Sequence, residues 1–72
     1  MNSGVVSSPL AAAFAELSEE HREVITLARI VQLPRAAIAA SMGRSEAAVR
    51  QLLVRAPLQL AQQLKRRGVV LP

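Results

Sequence analysis

The groups in this sequence with chemistry to offer are cations, and they crowd into its second half. Residues 34–72 carry Arg35, Arg44, Arg50, Arg55, Lys65, Arg66 and Arg67 against the single acid Glu46, a net charge of +6. Residues 1–33 carry Arg22 and Arg29 against Glu16, Glu19, Glu20 and Glu23, a net of −2, and the two halves together make the +4 of the whole chain. A basic half on a small chain points to a polyanion, either a nucleic acid or an acidic membrane surface. A plainer account also stands on composition alone, in which arginine keeps an Ala- and Leu-rich surface in solution.

Other chemistry is excluded by what is missing. The 72 residues include no Cys and no Asp, one histidine (His21) and five glutamates. Neither a Ser-His-Asp nor a Cys-His constellation can be assembled from them, and a metal cage would have to come from His21 and glutamates alone. His21 itself reads as a solvated surface residue, with no second ligand or nucleophile for it. Neither a metal nor another cofactor is therefore expected, and the chain is not expected to be an enzyme. The charge-free stretches hold too few large apolar residues to span a bilayer, and the N-terminus lacks the basic region of a signal peptide. The expectation is an intracellular, cytoplasmic module that works by binding.

The elements that must position these cations are helical. Hydrophobic residues make up 51% of the chain, yet Phe14 is the one aromatic, and Ala and Leu, both good helix formers, carry the core. Residues 1–8 read as a flexible leader. Ser8 and Pro9 then pair an N-cap with a proline at the first helical position, opening a short helix with Leu10, Phe14 and Leu17 at helical spacing. Ser18 caps a second helix over about 19–31, whose stripe is Val24, Leu27, Ala28 and Val31 with Ile25 beside it. Pro34 opens a third over about 34–41, anchored by Ile38 and Met42. Gly43 suits a left-handed helix end and Ser45 the next N-cap, which together make a helix-turn-helix connection.

At 100° per residue the fourth helix separates two faces. Val49, Leu52, Leu53, Ala56 and Leu60 cluster on the core side. Ala47, Gln51 and Val54 lie opposite, flanked by Arg50 and Arg55. Pro57 cannot donate to the Leu53 carbonyl and crowds that turn, so a break in helicity is expected at Ala56–Pro57, with a kink or a fifth helix over 58–67. Gly68 should end that helix, leaving an apolar tail over 68–72. The predicted fold is a small all-α domain of four or five helices over residues 9–67.

Residues 17–56, LSEEHREVITLARIVQLPRAAIAASMGRSEAAVRQLLVRA, resemble region 4 of sigma-70-type RNA polymerase sigma factors, most closely in the style of the extracytoplasmic-function group. The R-E-V-I-x-L helix is matched by Arg22 to Leu27, the Leu-led turn into I-A-x-x-[L/M]-G by Leu33 to Gly43, and x-S-x-x-x-V-R-x-x-L-x-R-A by Arg44 to Ala56. The last two pieces recur in many helix-turn-helix repressors; the upstream helix at the right distance makes the resemblance specific.

This resemblance implies transcription initiation. The fourth helix would read the −35 promoter element in the major groove of double-stranded DNA, and the domain would contact core RNA polymerase at its β-flap, with an anti-sigma factor as a further partner. By position, Arg50, Gln51 and Arg55 would contact bases or phosphates, Ser45 and Glu46 would lie near the backbone at the helix start, and Arg35 would reach phosphate. Leu52, Val54 and Pro57 stand where many members carry Arg or His, which implies fewer DNA contacts. No region 2-like segment lies within the 72 residues, so an isolated region 4 is implied, excised or free-standing. Two other readings remain open: a helix-turn-helix regulator of another family, and a protein-interaction module binding polymerase or an anti-sigma factor without DNA contact.

Overall fold

Three serines begin three of the four helices in the computed structural model, which describes residues 8–69. Ser8 Oγ accepts from the Ala11 N–H at 3.4 Å and opens α1 (Pro9–Ala15). Ser18 Oγ accepts from the His21 N–H at 3.2 Å and opens α2 (Glu19–Ile25), where Glu19 and Glu20 meet the positive end of the dipole. Ser45 Oγ accepts from the Ala48 N–H at 3.1 Å and opens α4 (Glu46–Arg66). Only α3 (Arg35–Met42) starts without a side-chain cap; Pro34 precedes it in extended conformation. No strand occurs among the described residues. The leader over residues 1–7 and the last three residues of the apolar tail lie outside them.

Glycine ends two helices as the spacing predicts. Gly43, at φ 65°, lets the Arg44 N–H reach the Ala39 carbonyl at 3.0 Å, and Gly68, at φ 80°, lets the Val69 N–H reach the Leu64 carbonyl at 3.0 Å. Both are the wrap-around hydrogen bonds of a Schellman turn, which satisfies carbonyls that a helix end would otherwise leave open.

The second helix departs from the expected regular course to residue 31. From Thr26 to Ile30 it continues as a π-helix, with the Val31 N–H donating to the Thr26 carbonyl at 3.0 Å. Gln32 then adopts φ 64°, and the Leu33 N–H closes back onto the Leu27 carbonyl at 2.9 Å. Each i→i−5 closure takes up one more residue than an α-turn, so side chains beyond it are rotated by about 100° from the α-helical phase. Val31 therefore leaves the Val24 stripe and stands 52% exposed, while Ile30 is 73% exposed.

The core is built from small and branched residues. Val24, Ile38, Ala39, Val49, Leu52 and Ala56 form one buried cluster, with Ile25, Leu27, Ala28, Leu33, Met42 and Leu53 packed partly against it. Fully burying Ile38, Val24 and Val49 stabilises by about 1.5–3 kcal/mol each. Ala13, Leu17 and Leu64 are buried as well, and α1 packs against α4. Leu10, at helical spacing with Phe14 and Leu17, is 55% exposed, and Leu53 and Leu60, expected on the core side, are half-buried. His21 is half-buried in the first turn of α2, not fully solvated as expected. Arg22 is half-buried and joins α1 to α2: its Nη1 donates to the carbonyls of Ala15 at 3.1 Å and Leu17 at 2.6 Å.

Pro57 does not begin a new helix. It sits inside α4, which runs on to Arg66, so the expected break at Ala56–Pro57 is not found. Packing on both sides explains the continuity. Before the proline, Val49, Leu52 and Ala56 are locked into the main cluster; after it, Leu64 is buried, and Arg67 at the helix end pairs with Glu16 beyond α1 at 3.7 Å. The lost Leu53 hydrogen bond costs less than undocking either half, and the ring itself lies at the surface.

Candidate nucleic-acid interface

The fixed phase of α4 sets up the candidate surface. With Val49, Leu52 and Ala56 buried, the opposite face must point outward, and Ala47, Arg50, Gln51, Val54 and Arg55 line one shallow surface depression there. All five are exposed. Of the expected site residues, the structure thus brings Arg50, Gln51 and Arg55 together. Neither arginine is in a salt bridge with an acid among the described residues.

The other three expected residues sit at the mouth of this helix. Ser45 is engaged as the N-cap. Glu46, in the first turn, lies 3.8 Å from the Nε of Arg35 at the start of α3, and both side chains are about half exposed. An acid and a cation assigned separately from the sequence are thus partners across the turn. Arg44 is likewise tied down, its Nη2 lying 2.7 Å from Glu20 Oε2 on α2. No local signal could have revealed either pair, because their members are distant in sequence and meet only through the helix-turn-helix packing.

The cations of the basic half therefore divide by role. Arg35, Arg44 and Arg67 each face an acid: Arg35–Glu46 joins α3 to α4, Arg44–Glu20 joins the turn to α2, and Arg67–Glu16 joins the ends of α4 and α1. Of the other four, Lys65 and Arg66 lie exposed in the last turn of α4, and Arg50 and Arg55 line the depression on it. Among the described residues no group of three or more His, Cys, Asp or Glu side chains gathers as a metal site, and no helix is long and apolar enough to cross a membrane.

A short helix, a left-handed glycine turn and a capped second helix with an acid-free outward face make a helix-turn-helix with α4 in the recognition position. Residues 7–60 match the family model described as Sigma-70, region 4. The chain belongs to the sigma-70 region 4 family. That family comprises non-enzymatic DNA-binding domains of sigma factors, and the match runs from the start of α1 into the second half of α4, past Pro57. Among curated proteins, none matches the chain. Within this sigma region 4 domain, the residues quoted for the resemblance take clear structural parts: Arg22 ties α1 to α2, Ile38 and Ala39 pack α3 on α4, Gly43 makes the turn and Ser45 caps the helix after it.

Proposed function

We propose that this domain recognises a −35 promoter element, in the manner of an extracytoplasmic-function sigma factor, by laying α4 in the major groove. One observation carries the reading: Arg50, Gln51 and Arg55 line a single exposed depression on a helix whose other face is locked in the core. A helix seated this way presents its side chains to base edges without rotating, so its register on DNA is set by the fold. Arg35, at the start of α3, supplies a phosphate contact beside it, and Ser45 and Glu46 lie at the helix mouth facing the backbone.

Core RNA polymerase, through its β-flap, is the protein partner in this reading, and an anti-sigma factor would compete for the same domain. The apolar groove where α1, the end of α2 with its π continuation, and α4 meet, lined by Leu10, Phe14, Ile25, Ile30 and Leu60, supports such docking. It also supports the second reading, a protein-interaction module that never touches DNA.

Titration of labelled duplexes carrying candidate −35 sequences, over a range of salt concentrations, separates the two. Three phosphate contacts, from Arg35, Arg50 and Arg55, give a log–log salt slope near −3. Absence of binding at low salt, or binding indifferent to salt, rejects DNA recognition and leaves the protein-interaction module.

A further inference from the structure

Val54 is the one large apolar side chain in the depression on α4, 60% exposed among Ala47, Arg50, Gln51 and Arg55. It contributes nothing to the core, which Val49, Leu52 and Ala56 fill from the other side of the helix. Against the family pattern it removes a cation, and a valine can contact neither a phosphate nor a base heteroatom by hydrogen bonding. One group on a base edge in the major groove does match it: the C5-methyl of thymine, the apolar landmark that distinguishes that base.

We infer that Val54, with the exposed Ala47 beside it, is a thymine-methyl contact that sets base preference at one position of the bound duplex. The inference rests on the DNA-recognition reading above and adds to it the identity of a base. Val54 is suited to the task because a β-branched side chain in a helix is held almost wholly in one rotamer, so its methyls are already in place before contact. Gln51 lies three residues earlier on the same face, and an amide pairs bidentately with adenine through N6 and N7. Amide and methyl contact, one helical turn apart, together favour an A/T-bearing stretch under the centre of α4, with Arg50 and Arg55 to either side.

The test uses the full chain and a duplex enriched by it from a randomised pool at low salt. Each thymine is replaced in turn by deoxyuridine, which deletes the methyl and nothing else. One replacement should weaken binding by about fourfold, the worth of one buried methyl. With Val54→Ala that penalty should vanish. It should persist with Leu58→Ala, which shortens an equally exposed side chain one turn further from the helix start. Binding that no deoxyuridine weakens, or a penalty that survives Val54→Ala, overturns the thymine contact while leaving DNA recognition intact. Failure to enrich or bind any duplex overturns DNA recognition itself, and the thymine contact with it.

Discussion

Arg35 Nε and Glu46 Oε1 stand 3.8 Å apart across the turn that joins α3 to α4. An ion pair this exposed contributes at most about 1 kcal/mol to stability, so its interest lies in what it does to the surface. It holds Arg35 against the mouth of the recognition helix while neutralising part of its charge. Glu46→Gln should therefore raise affinity for all duplexes a few-fold at low salt, by freeing Arg35 and removing an anion from the interface. The stability cost should stay below about 1 kcal/mol, the value of one acid at a helix N-terminus. Fluorescence anisotropy beside a thermal melt checks both halves; unchanged binding would show that the pair does not hold Arg35 back from DNA, and weakened binding that Glu46 is itself a DNA contact.

Arg50, Gln51 and Arg55 should separate by role. Arg50 and Arg55 lie about 140° apart on the helical wheel and flank Gln51, so they serve phosphates on either wall of the groove. Replacing either with Ala should weaken all sequences nearly alike and flatten the salt slope by about one. Gln51→Ala should instead relax preference at one base pair, with a loss of about 1–3 kcal/mol of discrimination there. Competition between matched and mismatched duplexes reads the difference directly, and the reverse pattern would exchange the reading and anchoring roles.

Pro57→Ala should stabilise the domain. It returns an N–H to the Leu53 carbonyl inside a helix that is already continuous, and a proline in a helix interior costs about 3 kcal/mol relative to alanine in an unconstrained setting. Because the surrounding helix is held on both sides by packing, a gain on the order of 1 kcal/mol or more is expected in urea denaturation. A loss of stability would mean that the ring's place in the shallow depression it shares with Ile25, Ala28 and Leu53 outweighs the hydrogen bond.

Gln32→Gly should also stabilise. Gln32 is the one non-glycine residue at positive φ among the described residues, and it is exposed, so the change removes strain without opening a cavity. A left-handed conformation costs a residue with a Cβ roughly 1 kcal/mol, offset in part by the greater freedom of glycine in the unfolded chain. An increase in melting temperature of a few degrees is the expected result for a domain of this size. Gln32→Val, which adds a branch where strain is already present, should lower it.

Much of this fold could be read from the sequence because its boundaries are set locally. Ser8, Ser18 and Ser45 act on backbone donors three residues away, and Gly43 and Gly68 act through their own φ, so neighbouring residues suffice to find them. The outward face of α4 was legible for a related reason: once Val49, Leu52 and Ala56 are identified as core, helical phase decides where Arg50, Gln51 and Arg55 point. Pro57 misled because its local rule is outweighed by packing at Ala56 and Leu64, which lie on separate parts of the core. The π-turn at Thr26–Ile30 and the left-handed Gln32 left no trace, since none of those residues is a glycine, proline or asparagine that would mark them. The ion pairs Arg35–Glu46 and Arg44–Glu20 depend on tertiary approach alone.

The extra residue taken up between Thr26 and Ile30 makes that stretch a spacing gauge between the two parts of the domain. A chain shortened by one residue there could close ordinary α-turns, and Val31 and the residues after it would stay where they are while α3 and α4 kept their own packing. Lengthening has no such outlet, because the next residues already spend their freedom on the left-handed turn at Gln32. Tolerance to change in length is thus one-sided at this joint, and natural variants of the domain should differ there by losing a residue more readily than by gaining one.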